Sequence, residues 1–257
     1  MNRVHPVKLT FAEHAVHLWY VVPEWADDDP LLASYHALMS AAEQAQQQRF
    51  VFARDRHRYL VTRALVRTVL SRYAEVEPQS WQFQANKYGR PEISAPSVSV
   101  PLRFNVSHAD GLIACAVTIG RDIGVDVEAV DRPGQTVEIA ERFFSPAEVA
   151  ALRALPTEAQ RDRFFDFWTL KESYIKARGM GLSIPLDQFS FHLDPSTIRI
   201  TFDPRLQDAS ERWQFMRFRW GTRHAVALAV GRATGEPDVC LQVRRTLPLR
   251  SDSPEQW

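Results

Sequence analysis

The chain has 257 residues, enough for one large domain or two small ones with a sizeable core. Its 31 Lys+Arg balance 31 Asp+Glu, so no global field draws it to nucleic acid or to anionic membranes. With 45% hydrophobic and 24% charged residues, the composition is that of a soluble globular protein. Cys115 and Cys240 are the only cysteines; they have no metal or redox spacing and read as plain buried thiols of a cytoplasmic protein. The longest apolar stretches, LIACAV and AVALAV, are strand-sized and too short to span a bilayer, and the N-terminus lacks the layout of a signal peptide.

In chain order, AVHLWYVV (15–22) predicts a first strand, followed by helical patterning from about Pro30 to Phe50. Residues 53–74 predict an amphipathic helix, with Val61, Leu65, Val69 and Tyr73 repeating every four residues. SWQFQANKYGRPEI predicts a strand, a turn at Tyr88-Gly89 and an extended Arg90-Pro91. Residues 102–130 predict strands parted by turns at Asp110-Gly111 and Gly120. Ser145-Pro146 opens a short helix. A longer one begins near Thr157, where Thr-x-x-Gln fits a capping box, and ends at Gly179. Four short strands follow in QFSFHL, IRITF, QFMRFRW and HAVALAVG, and the tail from about Glu236 reads as a poorly packed extension. The order predicts two α+β halves, 1–120 and 121–257. Arg54-Asp55-Arg56 and Arg161-Asp162-Arg163, each at the head of a long helix, hint at internal duplication.

The stretch FWTLKESYIKARG (167–179) carries the chemistry. At about 100° per residue, Phe164, Trp168 and Ile175 form a buried stripe flanked by Phe167 and Tyr174. Lys171 falls inside that stripe, where its stem is expected to be buried and its ammonium to reach an acid, a structural role. Glu172 and Lys176, at i and i+4, share the stripe's edge. An isolated Glu-x-x-x-Lys is ordinarily a solvated surface pair. Beside these aromatics, the carboxylate needs a cation or donors to compensate it. In IGVDVEAV (123–130), Asp126 and Glu128 project from one face of a strand and Val125 and Val127 from the other. Alone, the two acids read as a solvated face. With Glu172 they define part of a hard-oxygen site that suits Mg²⁺, whose other ligands are commonly waters and phosphate oxygens. The implied chemistry is phosphoryl transfer.

IGVDVE, then 42 residues from Asp126 to Trp168, then WTLKESYIKARGMGLSIPL, closely resembles the Sfp-type 4′-phosphopantetheinyl transferases, with the pattern G-[IV]-D…[FW]-x-x-K-E-x-x-x-K. RFVFARDRHRYLVTRALVR, NKYGRP, FNVSH and RFFSPAE extend the resemblance from roughly Arg49 to Phe191. It implies an α+β pseudo-dimer of two similar halves, each a small antiparallel sheet packed with helices, working as a monomer with coenzyme A between the halves. It also implies transfer of the 4′-phosphopantetheine arm of coenzyme A to a serine of an apo acyl or peptidyl carrier protein, with release of adenosine 3′,5′-bisphosphate. By motif position, Asp126, Glu128 and Glu172 look like ligands of Mg²⁺, with Mn²⁺ as a substitute. Lys176 looks like the lysine that meets the coenzyme phosphates, and Arg58 and Arg90 resemble coenzyme-binding arginines. Ser107 and His108 resemble a pair that binds the nucleotide phosphates. Glu172, directly or through a bound water, is expected to take the serine proton, and Lys176 to stabilise the leaving bisphosphate.

One departure is that 43–48 holds no lysine where some members reach the 3′-phosphate; Arg49 or Arg54 would have to substitute. Rival readings are a two-metal phosphodiesterase and a non-catalytic carrier-binding module. A serine hydrolase on Ser107 and His108 is disfavoured, because neighbours on an extended chain point to opposite faces. Fatty-acid, polyketide and peptide-synthetase carriers all fit the sequence.

Overall fold

The structure is a computed structural model and describes residues 9–12, 14–134 and 136–255. Strand β1 (Ala15–Val21) is buried along its whole length, which is why its sequence is nearly continuously apolar rather than alternating. The helical patterning expected from about Pro30 to Phe50 is two helices. α1 (Asp29–Leu38) is capped by Asp28, whose carboxylate accepts from Leu31 N. A new start at Ser40, with a Ser40/Glu43 capping box, opens α2 (Ala41–Gln48). Then come α3 (Ala53–Leu70), the hairpin β2 (Gln82–Ala85) and β3 (Pro91–Ala95), and β4 (Leu102–Ala109) with β5 (Leu112–Ile119).

The second half opens with β6 (Ile123–Ala129), α4 (Ala140–Phe143) and α5 (Pro146–Arg153). The long α6 (Thr157–Arg178) ends, as expected, at Gly179 in the left-handed conformation, φ 64°. Its start differs from expectation. The N-cap is Pro156 with no side-chain cap, and Gln160 instead donates to Leu155 O. The hairpin β7 (Phe189–Leu193) and β8 (Ile198–Phe202) follows, then β9 (Trp213–Trp220), β10 (His224–Gly231), β11 (Cys240–Leu247) and β12 (Ser251–Glu255).

The main sheets run β12-β11-β1-β5-β4 and β6-β10-β9. In each half a first strand and a penultimate strand flank the last one, antiparallel to it: β1 and β4 about β5, β6 and β9 about β10. A long helix and a two-stranded hairpin intervene in both halves, so the chain is an α+β pseudo-dimer. The tail does not match the expected loose extension. β11 returns to the first half and pairs parallel with β1, Ala15 against Cys240 through Tyr20 against Arg245, and β12 pairs with β11.

Side-chain alternation sorts the core into layers. On β5, Ile113, Cys115 and Val117 face α3, while Leu112, Ala114 and Ala116 face the other sheet. On β10, Val226, Leu228 and Val230 join that inter-sheet core, while Ala225, Ala227 and Ala229 face α6. Ile123, Val125 and Val127 of β6 also lie between the sheets. The alternate residues Gly124, Asp126 and Glu128 are thereby directed toward α6. The small residues let the helix approach: a Cβ on Gly124 would overlap the carbonyl of Ser173 and lie 2.5 Å from Ala177 N.

Candidate active site

Where the halves meet, side chains of β4 bond to the backbone of β6. Asn105 Oδ1 accepts from Val125 N at 2.9 Å and Ser107 Oγ from Val127 N at 3.2 Å. A polar pair in a strand whose neighbours are apolar is thus the join between the halves, and it brings Ser107 against Asp126. The Ser107 hydroxyl donates to Asp126 Oδ1 at 3.1 Å, and Lys176 Nζ donates to Ser107 Oγ at 2.9 Å and to Asp126 Oδ1 at 2.6 Å. Asp126 is 4% exposed, and its Oδ2 is buried with no hydrogen-bond partner.

Glu128, one strand repeat further on the same face, accepts from Trp168 Nε1 at 2.9 Å and lies 3.5 Å from Arg132. Burial and the neighbouring Asp126 charge both raise its carboxyl. Asp126 is raised too, chiefly by burial, with Lys176 and Ser107 opposing. Glu172 is pushed up to about 7, by burial first and then by the charges of Asp126 and Glu128, against Lys176. Strand and helix therefore place the three carboxylates that the sequence singled out within range of one another's charge. No three His, Cys, Asp or Glu side chains among the described residues already converge as a cation cage. An unpartnered buried carboxylate oxygen and two carboxyls raised first by burial and then by the charge of Asp126 nevertheless form a hard-oxygen donor set short of positive charge. That chemistry fits Mg²⁺.

Ser107 and His108 lie on opposite faces of β4. Ser107 is buried in the carboxylate cluster, while His108 is exposed. His108 is pushed down to about 4, first by the protein mass around it and then by the charges of Arg58 and Lys176. His108 thus faces solvent where the charges of two cations, Arg58 and Lys176, both act on it. Arg58, on α3, reaches His108 with its field while its guanidinium holds Asp55 at 2.7 Å.

Arg90 sits elsewhere. Its guanidinium donates to Ala177 O at 2.8 Å and Lys176 O at 3.3 Å, the last carbonyls of α6, and pairs with Glu92 at 2.7 Å. Asn86, at the start of the same turn, donates to Gly179 O at 2.9 Å. The NKYGRP turn of the first half thus clamps the end of the helix that carries Glu172 and Lys176.

Lys171 is 1% exposed, and the acid it reaches is Glu148, 2.8 Å away and itself fully buried. It also donates to Leu186 O and Phe189 O, so its ammonium is held inside the core rather than at the surface. Sequence reading gave no role to Glu148 or Asn105, and read Trp168 as part of the buried stripe and of the family pattern but not as a donor to Glu128. The signal for Glu148 was present, because Ser145-x-x-Glu148 is a capping box, and both of its bonds form.

Two family profiles match, the 4′-phosphopantetheinyl transferase superfamily over residues 122–229 and the 4′-phosphopantetheinyl transferase N-terminal family over residues 23–119. The chain is 35% identical over 191 residues to the 4′-phosphopantetheinyl transferase HetI of Nostoc sp., covering 74% of this chain and 79% of that protein. It is 40% identical over 171 residues to a 4′-phosphopantetheinyl transferase of Bacillus subtilis, covering 65% and 73%. The likeness to Sfp of Bacillus subtilis strain 168 is 37% over 159 residues, covering 62% and 68%. A solved holo-(acyl-carrier-protein) synthase of Bacillus anthracis, in complex with CoA (3′,5′-ADP), overlays 44% of this chain and 96% of its own at TM-score 0.34 and 16% identity. The chain belongs to the 4′-phosphopantetheinyl transferases, and is an enzyme of that family.

Proposed function

We propose that this chain moves the 4′-phosphopantetheine arm of coenzyme A onto a serine of an apo acyl or peptidyl carrier protein, in a Mg²⁺-dependent step that releases adenosine 3′,5′-bisphosphate. The observation that carries the reading is the unpartnered Asp126 Oδ2 beside Glu128 and Glu172, next to a surface where the charges of Arg58 and Lys176 meet at a neutral His108. Asp126, Glu128 and Glu172 would hold the cation, which would neutralise charge on the pyrophosphate when bound. The carrier serine oxygen bonds to the β-phosphorus, and the bond from that phosphorus to the leaving bisphosphate breaks. Glu172, directly or through a water it orients, takes the serine proton. Arg58 and Lys176 supply charge-assisted donors to the phosphates, and neutral His108 adds an N–H without bringing a like charge beside them. The enzyme works as a cytoplasmic monomer on this reading, since one chain supplies both halves of the site.

The experiment is to incubate the protein with coenzyme A, Mg²⁺ and a panel of apo-carriers, and to follow intact mass. A gain of about 340 Da on the carrier serine is expected for a transferred phosphopantetheine. Coenzyme A cleaved equally with and without a carrier would instead establish a phosphodiesterase. No change in either partner, with Mg²⁺ or Mn²⁺ present, would overturn the reading.

A further inference from the structure

We propose that Lys176 is the resident counter-ion of the carboxylate cluster. It competes with the divalent cation for Asp126, so that metal and coenzyme phosphates bind cooperatively, the phosphates drawing the lysine away. The inference rests on the metal-site reading above and concerns how this chain's own side chains prepare that site. Its basis is a set of contacts. Lys176 Nζ is 2.6 Å from Asp126 Oδ1 and 2.9 Å from Ser107 Oγ, and the Ser107 hydroxyl donates to the same Asp126 oxygen. One carboxylate oxygen thus takes both donors, and the other takes none.

A divalent cation on Asp126 would sit within a few ångströms of the ammonium. Two cations that close repel strongly at the lowered effective dielectric of a partly buried site. Both cannot occupy Asp126 at full strength. The structure also gives Lys176 somewhere to go. Its side chain is 28% exposed, whereas that of Asp126 is 6%, so the lysine is the more solvent-accessible member of the pair. Its flexible stem rises from α6 on the side where its charge already acts on His108. A phosphate bound there gives the ammonium a new partner and leaves Asp126 to the metal. Metal and coenzyme then favour each other, and the coupling is reciprocal.

The test is Mn²⁺ binding followed by the electron paramagnetic resonance signal of the free ion, with and without coenzyme A, no carrier present, and corrected for Mn²⁺ bound by coenzyme A alone. The proteins are wild type, Lys176→Met, Asp126→Asn and Arg132→Met. Arg132→Met removes a charge beside Glu128 without touching Asp126 and so measures the general effect of a lost cation. Without coenzyme, Lys176→Met should bind Mn²⁺ ~10-fold or more tighter than wild type, and Arg132→Met only ~2–3-fold tighter; coenzyme A should tighten binding strongly in wild type and little in Lys176→Met. If Lys176→Met gains no more than Arg132→Met, yet coenzyme-dependent Mn²⁺ binding exists in wild type and is lost in Asp126→Asn, the competition is overturned and the metal site stands. If wild type holds no Mn²⁺ beyond what coenzyme A holds alone, the metal-site reading falls and takes this inference with it.

Discussion

Lys171 Nζ lies 2.8 Å from Glu148 Oε2, and both side chains are shut away from solvent, 2% and 0% exposed. The pair ties three elements together. Glu148 Oε2 also accepts from Ser145 N to cap α5, and Oε1 accepts from Phe191 N in β7. Lys171 adds bonds to Leu186 O and Phe189 O and stands 4.1 Å over the Phe189 ring. It precedes Glu172 on α6, so the pair fixes the rotation of the helix that aims Glu172 and Lys176 at β6.

Lys171→Met should therefore destabilise the protein by about 3–5 kcal/mol, because it leaves the Glu148 carboxylate buried with no counter-charge. The double variant Lys171→Met/Glu148→Gln should recover much of that loss, since no ion then remains buried. Urea denaturation of the three proteins checks the pattern. Equal losses in the single and double variants would assign the cost to packing rather than to the orphaned charge.

The chemistry of α6 was legible in its sequence because a helix places residues at known angles. An acid and a lysine i, i+4 apart beside aromatics can be read without knowing the fold. Asp126 and Glu128 were legible for the same reason on a strand. What could not be read was pairing across long sequence separations. β11 has a half-exposed pattern with Arg244 and Arg245, its Cys240 is exposed where the sequence read it as buried, and its pairings, parallel to β1 more than 200 residues away and antiparallel to β12, are what make it a strand. The partners of Arg90 are carbonyls 86 and 87 residues distant, which no local pattern announces. The capping box read at Thr157 failed because Pro156 already supplies the turn into the helix, leaving Gln160 free to bond back to Leu155.

Glu172 makes the stability of the protein depend on pH with a defined sign. Its carboxyl is raised from 4.5 to about 7, so the folded state keeps a proton that the unfolded chain releases. The stability this brings is complete below pH 4.5 and is lost as pH rises through 7. Glu172→Gln removes the dependence. In chelator, the variant should gain on wild type between pH 4.5 and pH 8 by on the order of 1–3 kcal/mol, after discounting for partial exposure. His17 and His108, both pushed down to about 4, act in the opposite sense, but they are common to both proteins and cancel in the difference. Denaturation curves at several pH values give the result. A difference that does not vary with pH would mean that Glu172 ionises as an ordinary surface acid.

Arg58 and Arg90 should separate, although both were assigned to the coenzyme from sequence. Arg58→Ala removes a charge beside His108 and should raise KM for coenzyme A by about 10–100-fold, the loss of one charge-assisted bond, with thermal stability nearly unchanged. Arg90→Ala uncaps α6 and should lower Tm while reducing kcat, because the helix end near Lys176 loosens. Steady-state kinetics with Tm on both variants decide the matter. An unaltered Tm together with a large KM effect for Arg90→Ala would return that arginine to the coenzyme.

The tightest constraint on the site is the absence of a side chain at Gly124. Alanine there would be favourable for the strand itself, since Gly within β6 costs backbone entropy. Its Cβ, however, would overlap Ser173 O and approach Ala177 N at 2.5 Å, both of them backbone atoms of α6 that no rotamer change can move. Strand and helix must separate, and the parting falls between Asp126 on one and Glu172 and Lys176 on the other. Gly124→Ala should cost about 1–3 kcal/mol as overpacking does. Where the protein still folds, kcat should fall by roughly 10²-fold, the scale of a 1 Å misplacement of reacting groups. KM for coenzyme A should move much less, because Arg58 and His108 belong to the first half and do not ride on α6. Urea denaturation and steady-state kinetics on the one variant give both numbers. A Gly124→Ala enzyme with undiminished stability and kcat would show that β6 and α6 do not lie in contact, and the assembly of the three carboxylates described here would fail with it.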